Sequence, residues 1–211
     1  MKRIALLMIL FLFGCIAQNP EGIVKNAIKK SQTINNYRMD YKVNMSLGEE
    51  TVIMEVSTFR KGHNMRMDGK MEDFEFRTYS KDNKTTMCVY LNESWRCERI
   101  ATSYDFEKFG VLQFMERMNE SIEKKALNLS KDIITTKIAG RGCQLVSGVM
   151  DVGKIGGSGI SNFVECLDNE TGFPLLFAME TEINGKKMRM KMQVDLLEIK
   201  ELKDSFFELP S

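Results

Sequence analysis

The sequence predicts an α+β fold in which an antiparallel sheet of about eleven strands accompanies one helix near the N-terminus and one in the middle of the chain. Three observations predict it. Apolar and polar residues alternate with period two over most of the chain, two segments show the 3.6-residue period of a helix, and short turn signals separate the alternating segments. The chain has 211 residues and is 43% apolar, which is enough for one good-sized core. We therefore expect a single domain.

The beginning of the chain predicts export and a lipid anchor. Two basic residues precede an apolar run over residues 4–13, and Gly14 stands directly before Cys15. Such a run is too short to span a membrane as a helix, so it is interpreted as a secretory signal. Its ending resembles a lipobox, which implies a signal peptide over residues 1–14 and a mature domain over residues 15–211 whose first residue, Cys15, carries palmitate or a related acyl lipid. The alternative is a retained signal anchor with an incidental cysteine.

The expected location is therefore the extracytoplasmic face of the cell membrane, with the lipid anchor as the contact to the membrane. The chain has 30 Lys and Arg against 29 Asp and Glu, and loss of Lys2 and Arg3 with the signal keeps the balance near zero. A nucleic-acid partner would require a basic face. We therefore expect no nucleic-acid partner, and the sequence leaves the oligomeric state open.

The first helix is predicted from a capping pattern. Asn19 is a typical N-cap residue, and Pro20 suits the first helical position because its missing N–H would have no partner there. The helix is expected to continue to about Thr33. Its expected apolar stripe consists of Ile23, Ala27, Ile28 and Ile34.

From Tyr37 the period changes to two, which indicates antiparallel strands that are buried on one side. Residues 39–47 alternate, residues 52–56 alternate again after Gly48, and further strands are expected near residues 65–67 and 74–78. The turn signals between them are Lys61-Gly62, Asp68-Gly69 and Asp82-Asn83.

The next two strands predict a disulfide. If Asn92 and Glu93 form a two-residue hairpin turn, Tyr90 faces Trp95 and Cys88 faces Cys97 at a non-hydrogen-bonded position, where Cα atoms are about 4.5 Å apart. Once Cys15 is assigned to lipid, four cysteines remain, and an even set in an exported chain indicates disulfides. The remaining pair, Cys143 and Cys166, follows by elimination. A zinc site would need closer cysteines or more histidines than the single His63.

The central helix is predicted between Asp105 and Leu129, where apolar residues return to helical spacing. Gly110 is a position at which this helix could divide. Five strands are expected after it, near residues 133–138, 144–150, 160–167, 175–183 and 187–197.

The last two strands have a strong hairpin signal at Asn184-Gly185. The corresponding register sets Met179 against Met190 and Phe177 against Met192 on one face. Charged pairs occupy the other face. The expected pairs are Glu182 with Lys187 and Glu180 with Arg189.

The closing segments resemble the LolA and LolB lipoprotein carriers. The resemblance is carried by Asp168, Thr171-Gly172-Phe173-Pro174, the Asn184-Gly185 hairpin and Phe206-Phe207-Glu208-Leu209-Pro210. It implies a strongly curved, unclosed barrel whose concave apolar face is plugged by helices, with a cavity for acyl chains between them. It also implies a lipid or a lipidated protein as the ligand. Because the soluble carrier of that family has no anchor, the lipobox favours a fixed, LolB-like receiver or a lipid-binding surface protein.

The chain has 16 methionines, many of them at alternating positions. Thioethers on unbranched stems adapt to irregular apolar ligands, so these residues are candidates for the lining of a cavity, and plain core filling is the alternative. Two segments, residues 63–67 and 188–192, also carry soft ligands that could hold Cu(I). The candidate cavity residues are Met39, Met45, Met54, Met65, Met67, Phe177, Met179, Met190 and Met192.

Six Asn-x-Ser/Thr acceptors exceed the about one or two that composition would give by chance. They predict glycosylation at the cell surface and, together with a lipobox, an archaeal source. The concentration of Asn, Ser and Thr in turns is the alternative explanation. The acceptors are Asn44, Asn83, Asn92, Asn119, Asn128 and Asn169.

Catalysis has little support, because histidine-dependent triads would all depend on His63, which has no catalytic signature around it. We expect no enzyme activity, no cofactor and no resident metal. The function expected is binding of a hydrophobic ligand in a concave cavity. The alternative is a structural or sensory surface module with a fully packed core.

Overall fold

The computed structural model describes residues 19–82, 84–100, 111–155, 159–183 and 185–210. Within these ranges the chain forms one open, curved antiparallel sheet of twelve strands and two α-helices, which confirms the predicted fold class. The segment predicted to be a signal peptide, Cys15 and Asn83 lie outside the described residues. The elements in chain order are α1 (Pro20–Gln32), β1 (Asn36–Leu47), β2 (Glu50–Lys61), β3 (Asn64–Met71), β4 (Phe74–Lys81), β5 (Lys84–Leu91), β6 (Ser94–Ile100), α2 (Val111–Glu123), β7 (Leu127–Leu129), β8 (Ile134–Ile138), β9 (Arg141–Asp151), β10 (Ile160–Asp168), β11 (Pro174–Ile183) and β12 (Lys186–Glu198).

The strand order is β6-β5-β4-β3-β2-β1-β12-β11-β10-β9, and both β7 and β8 pair with the far edge of β9. The first and last strands therefore pair in the middle of the sheet. Their register extends from Arg38 opposite Glu198 to Leu47 opposite Met188. Every other neighbouring pair along β1–β6 and along β9–β12 is adjacent in the chain, so the β1–β12 ladder joins two halves that each form from consecutive strands.

Helix α1 begins as predicted. The Asn19 side chain accepts a hydrogen bond from the Glu21 N–H at 3.1 Å, and Pro20 occupies the first turn. The buried stripe is Val24, Ala27, Ile28 and Ser31, which has the spacing of one helix face. The prediction was correct for Ala27 and Ile28, whereas Ile23 is only half-buried.

The predicted turn at Asp68-Gly69 is wrong, because both residues lie inside β3 and the turn falls at Glu72 and Asp73. Gly69 is needed there for space. A Cβ at this position would lie 2.2 Å from Cζ of Phe76, its cross-strand partner. Asp68 is held in the strand by Arg66, whose Nε donates to its carboxylate at 2.7 Å.

The end of the predicted central helix is also wrong. Helix α2 ends at Glu123, and Leu127–Leu129 forms the short strand β7 against β9. The chain reverses at Lys125, which has a left-handed backbone (φ 51°), and the Asp151 N–H then donates to the Ala126 carbonyl at 2.8 Å. The first six residues of the predicted helix, 105–110, lie outside the described residues.

Both predicted hairpin registers are confirmed. Met179 faces Met190 across the last hairpin, although Asn184 in its turn is not described, and Tyr90 faces Trp95 beside Cys88 and Cys97. The structure joins Cys88 to Cys97, with Cα atoms 3.9 Å apart. The second disulfide joins Cys143 on β9 to Cys166 on β10, with Cα atoms 5.5 Å apart.

A tight turn fixes α1 against the end of β10. The Asp168 carboxylate is almost fully buried, accepts two hydrogen bonds from Arg141 at 3.0 and 2.8 Å, and accepts from the N–H and hydroxyl of Thr171. Burial alone would raise the pKa of Asp168, but these bonds outweigh it and the pKa is lowered. Gly172 (φ 76°) then brings the chain into contact with the backbone of Ala27. The segment Asp168-x-x-Thr171-Gly172 therefore has a structural role, because it holds α1 against the end of β10.

Candidate ligand-binding face

The nine candidate cavity residues lie on one face of the sheet. Residues directly opposite each other on antiparallel strands point to the same side. Met45 pairs with Met190, which pairs with Met179. Met192 and Met54 both pair with Val43, and Met39 and Met67 both pair with Thr58. We call this the methionine face: Met39, Met45, Met54, Met65, Met67, Phe177, Met179, Met190 and Met192.

The two helices cover part of this face. Val24 of α1 and Met115 and Met118 of α2 belong to one buried cluster with Phe163 and Phe177 of the sheet. Coverage divides the nine residues into two groups. Met39, Met65 and Phe177 are buried and fill the core. The others are half-buried or exposed: Met45, Met54, Met67, Met179, Met190 and Met192.

One end of the methionine face is open to solvent. Met45, Leu47 and Val52 are 38%, 43% and 39% exposed. They are neighbours, since Met45 pairs with Val52 on one side and Leu47 pairs with Met188 on the other. Adjacent exposed apolar side chains are a candidate interaction site. We call Met45, Leu47, Val52 and their half-buried neighbour Met188 the open end.

A buried acid on the same face was missed by sequence reasoning. Glu165 lies between Phe163 and Leu167 at an inward position of β10, opposite Phe177 and Val146. It is fully buried, and neither carboxylate oxygen accepts a hydrogen bond from the part of the chain that the structure describes. Burial raises its pKa from the ordinary value near 4.5 to about 8. The feature of the sequence that could have identified Glu165 is a single acidic residue at a position that the alternation predicts to point inward.

The opposite face is polar and carries ion pairs. Of the two pairs predicted in the last hairpin, Glu180 with Arg189 is formed, whereas Lys187 contacts Glu180 at 3.7 Å rather than Glu182. Arg189 contacts Glu180 at 2.7 Å, and Lys42 contacts Glu55 at 3.3 Å. A groove of about 330 Å³ on this face is lined by charged residues and Trp95, on which Arg77 stacks at 4.2 Å. A second groove of about 530 Å³ follows β1, β12, β11 and β10. The first groove is lined mostly by charged side chains and does not resemble a cavity for acyl chains. The second has a mixed lining, in which Met179 and Met190 lie beside polar residues.

Four of the glycosylation acceptors are exposed. Asn92 and Asn169 lie in turns, and Asn44 and Asn128 lie on strands with their side chains on the polar face. Asn119 is half-buried on α2 and donates to Glu123 at 2.8 Å. Glycans on Asn44 and Asn128 would therefore leave the methionine face free.

The two triplets of soft ligands considered for copper, one of a histidine and two methionines and the other of three methionines, are not neighbours in the sheet. Residues 63–67 belong to β3 and its turn, residues 188–192 belong to β12, and β2 and β1 lie between them. With strands about 4.8 Å apart, the triplets are separated by roughly 14 Å. Within the described ranges no cluster of three or more His, Cys, Asp or Glu could hold a metal ion. Any copper site would have to be built from one triplet alone.

No protein-family model matches the sequence, and no curated protein is significantly similar to it. Solved structures are similar in fold. The MucA/MucB complex of Pseudomonas aeruginosa matches at 13% identity over 89% of this chain and 61% of that chain, with a TM-score of 0.50. MucB in complex with MucA(peri) matches at 13% identity over 89% and 59%, again with a TM-score of 0.50. A domain assigned provisionally to outer membrane lipoprotein sorting in Vibrio parahaemolyticus matches at 12% identity over 90% and 97%, with a TM-score of 0.40.

This chain therefore spans about 60% of the length of the MucB chains that it matches. The MucB structures share the fold of this chain, and its open, curved sheet with helices is the fold that the sequence resemblance implies. At this level of identity the matches show the fold alone. Among the described residues, no helix is long and apolar enough to cross a membrane.

Proposed function

We propose that this protein is a lipid-anchored, extracytoplasmic binding protein that takes acyl chains, from a lipid or a lipidated protein, against the methionine face. The observation that carries the proposal is the continuity of this face. Six of its nine residues are not fully buried, and it ends in the exposed apolar side chains of the open end. Flexible thioethers suit chains of irregular shape, and each buried methylene contributes about 0.8 kcal/mol.

The second candidate is a structural or sensory cell-surface module with a fully packed core. MucB, which is similar in fold, forms a complex with MucA, and such a module would likewise bind a protein partner. The open end favours acyl binding over this alternative, because a fully packed core would bury Met45, Leu47 and Val52.

We expect a fluorescent fatty acid, dansyl-undecanoic acid, to bind the purified protein and to be displaced by palmitate. Met45→Glu should weaken binding at least tenfold, because it puts a carboxylate at the entrance of the face. Titrations followed by dansyl emission measure the change.

Ile53→Glu is the matched control. Ile53 is the neighbour of Val52 on β2, is 55% exposed and points to the opposite face. Thermal unfolding of both variants shows that they are folded. Absence of probe binding to the wild-type protein, or equal affinities for the two variants, would contradict acyl binding.

The anchor is tested at Cys15. In a host that processes lipoproteins, the mature protein should sediment with membranes, and mass spectrometry should find an N-terminal peptide that begins at Cys15 with added lipid. Cys15→Ser should abolish the lipid and release the protein or leave the signal uncleaved. Gln18→Ser, three residues later, is the control and should behave as wild type. Membrane association with an unmodified Cys15 would instead support a signal anchor.

The same proposal includes N-glycans on the exposed acceptors, Asn44, Asn92, Asn128 and Asn169, which are accessible from solvent. Together with the anchor they are consistent with an archaeal cell surface.

A further inference from the structure

Strand β6 forms an edge of the sheet. Among the described strands it pairs only with β5. Cys97 and Cys88 have Cα atoms 3.9 Å apart, the short separation typical of a non-hydrogen-bonded pair. The N–H and C=O groups of Cys97 therefore point away from β5, as do those of Trp95 and Arg99 at the same parity. Three residues thus offer a row of backbone donors and acceptors at the edge.

The side chains on this edge carry charges that have no ion-pair partner among the described residues. Arg96, Glu98 and Arg99 are exposed. None of them forms an ion pair with another residue in the described ranges, although ion pairs are frequent elsewhere on the sheet. Edge charges of one sign would repel an incoming strand. Here Arg96 and Glu98 have opposite signs and point to the same side.

The strand is complementary to itself when a second copy is placed antiparallel about Cys97. Arg96 then lies opposite Glu98 of the second copy, and Trp95 lies opposite Arg99 of the second copy. Each pairing occurs twice by symmetry. Arg96 and Glu98 meet at non-hydrogen-bonded positions, where opposite side chains are closest. The outward groups of Trp95, Cys97 and Arg99 form about six backbone hydrogen bonds in this register.

The neighbouring registers are unfavourable. Only registers that set outward-pointing residues against each other form a ladder, so the strand must shift in steps of two. A shift in one direction places Arg96 against Arg96 of the second copy, and a shift in the other places Glu98 against Glu98. Like charges directly opposite each other are destabilising. Only the register centred on Cys97 pairs all seven residues of β6 and matches the charges.

We propose that β6 is a homodimerisation edge, at which two copies of this chain pair antiparallel about Cys97 and join their two sheets into one. Strands β4 and β5 lie between this edge and the nearest residues of the methionine face, Met65 and Met67 on β3. The dimer can therefore be tested independently of acyl binding.

The full chain in detergent micelles, studied by analytical ultracentrifugation over a range of concentrations, tests this directly. The wild-type protein should dimerise reversibly. Arg96→Glu and Glu98→Arg should each weaken the dimer at least tenfold, because each creates two like-charge contacts. The double variant, Arg96→Glu with Glu98→Arg, restores opposite charges with exchanged positions and should recover most of the affinity.

Lys131→Glu provides the control for net charge, since Lys131 is exposed in a loop far along the chain from β6, and it should dimerise as wild type. Hydrogen exchange should show protection of the Trp95, Cys97 and Arg99 amides in the dimer only. A wild-type protein that stays monomeric, single variants as dimeric as wild type, or a double variant no tighter than the single variants would each overturn the proposal.

Discussion

Gly172→Ala is expected to destabilise the protein by about 4 kcal/mol, and two costs add in this value. A left-handed backbone (φ 76°) costs a non-glycine residue about 1–2 kcal/mol. The added Cβ would also lie 2.1 Å from the carbonyl oxygen of Ala27, and forcing such an overlap costs about 1–3 kcal/mol or more. Because the overlapping atom belongs to the backbone of α1, a side-chain rotation cannot remove the overlap and the helix has to move away from the turn. Urea unfolding measures the loss.

Gly140→Ala separates the two costs. Gly140 has nearly the same backbone conformation (φ 75°), and nothing lies within 4 Å of the position of its Cβ. This variant should lose only the conformational part, about 1–2 kcal/mol. Equal losses in the two variants would show that contact with α1 does not depend on a glycine at position 172.

Glu165→Met is expected to stabilise the protein, and more strongly at pH 8 than at pH 5. The folded protein keeps a proton on Glu165 up to about pH 8, whereas the unfolded chain releases it near pH 4.5. Between these values the folded state binds the extra proton, so stability falls as pH rises, by about 1.4 kcal/mol per pH unit. Methionine removes this slope. It also removes a buried carboxyl without partners in the described structure, which costs about 1–3 kcal/mol in its neutral form.

Urea unfolding at pH 5, 6.5 and 8 tests the difference in slope between wild type and variant. Glu182→Met is the matched control, because Glu182 is an exposed acid on the neighbouring strand β11. It should leave the pH dependence unchanged. If Glu165→Met had the same pH dependence as wild type, the carboxyl would have to be paired or hydrated in solution.

The local pairings were predictable from sequence because their information is local. A two-residue turn fixes the register of its hairpin, and this was sufficient for the pairs Cys88–Cys97 and Met179–Met190. The pairing of β1 with β12 was not predictable, because no turn connects these strands. The turn at Gly69 was predicted wrongly because glycine occurs both in turns and where a neighbouring side chain needs space. Here it makes room for the ring of Phe76 instead of turning the chain.

The candidate face was predictable in part for the same reason. Alternation showed that the methionines share a side of their strands, and the ladders place them on one face of the sheet. Exposure was not predictable. Met39 is buried and Met45 is exposed, although both lie on β1 at the same parity. The difference depends on what packs over each end of the strand, and periodicity does not contain that information.

The central β1–β12 ladder has a consequence for the order in which the protein can be made. During synthesis β1 is made first and β12 last among the described strands. One edge of β1 therefore has no partner until all the other strands have been made. Contacts so distant in sequence slow folding. Until β1 pairs with β12, its exposed edge can pair with other chains and cause aggregation. Each disulfide, however, lies within one half of the sheet. The two halves can therefore be oxidised and folded separately, and their docking is the late step at which truncated chains would fail.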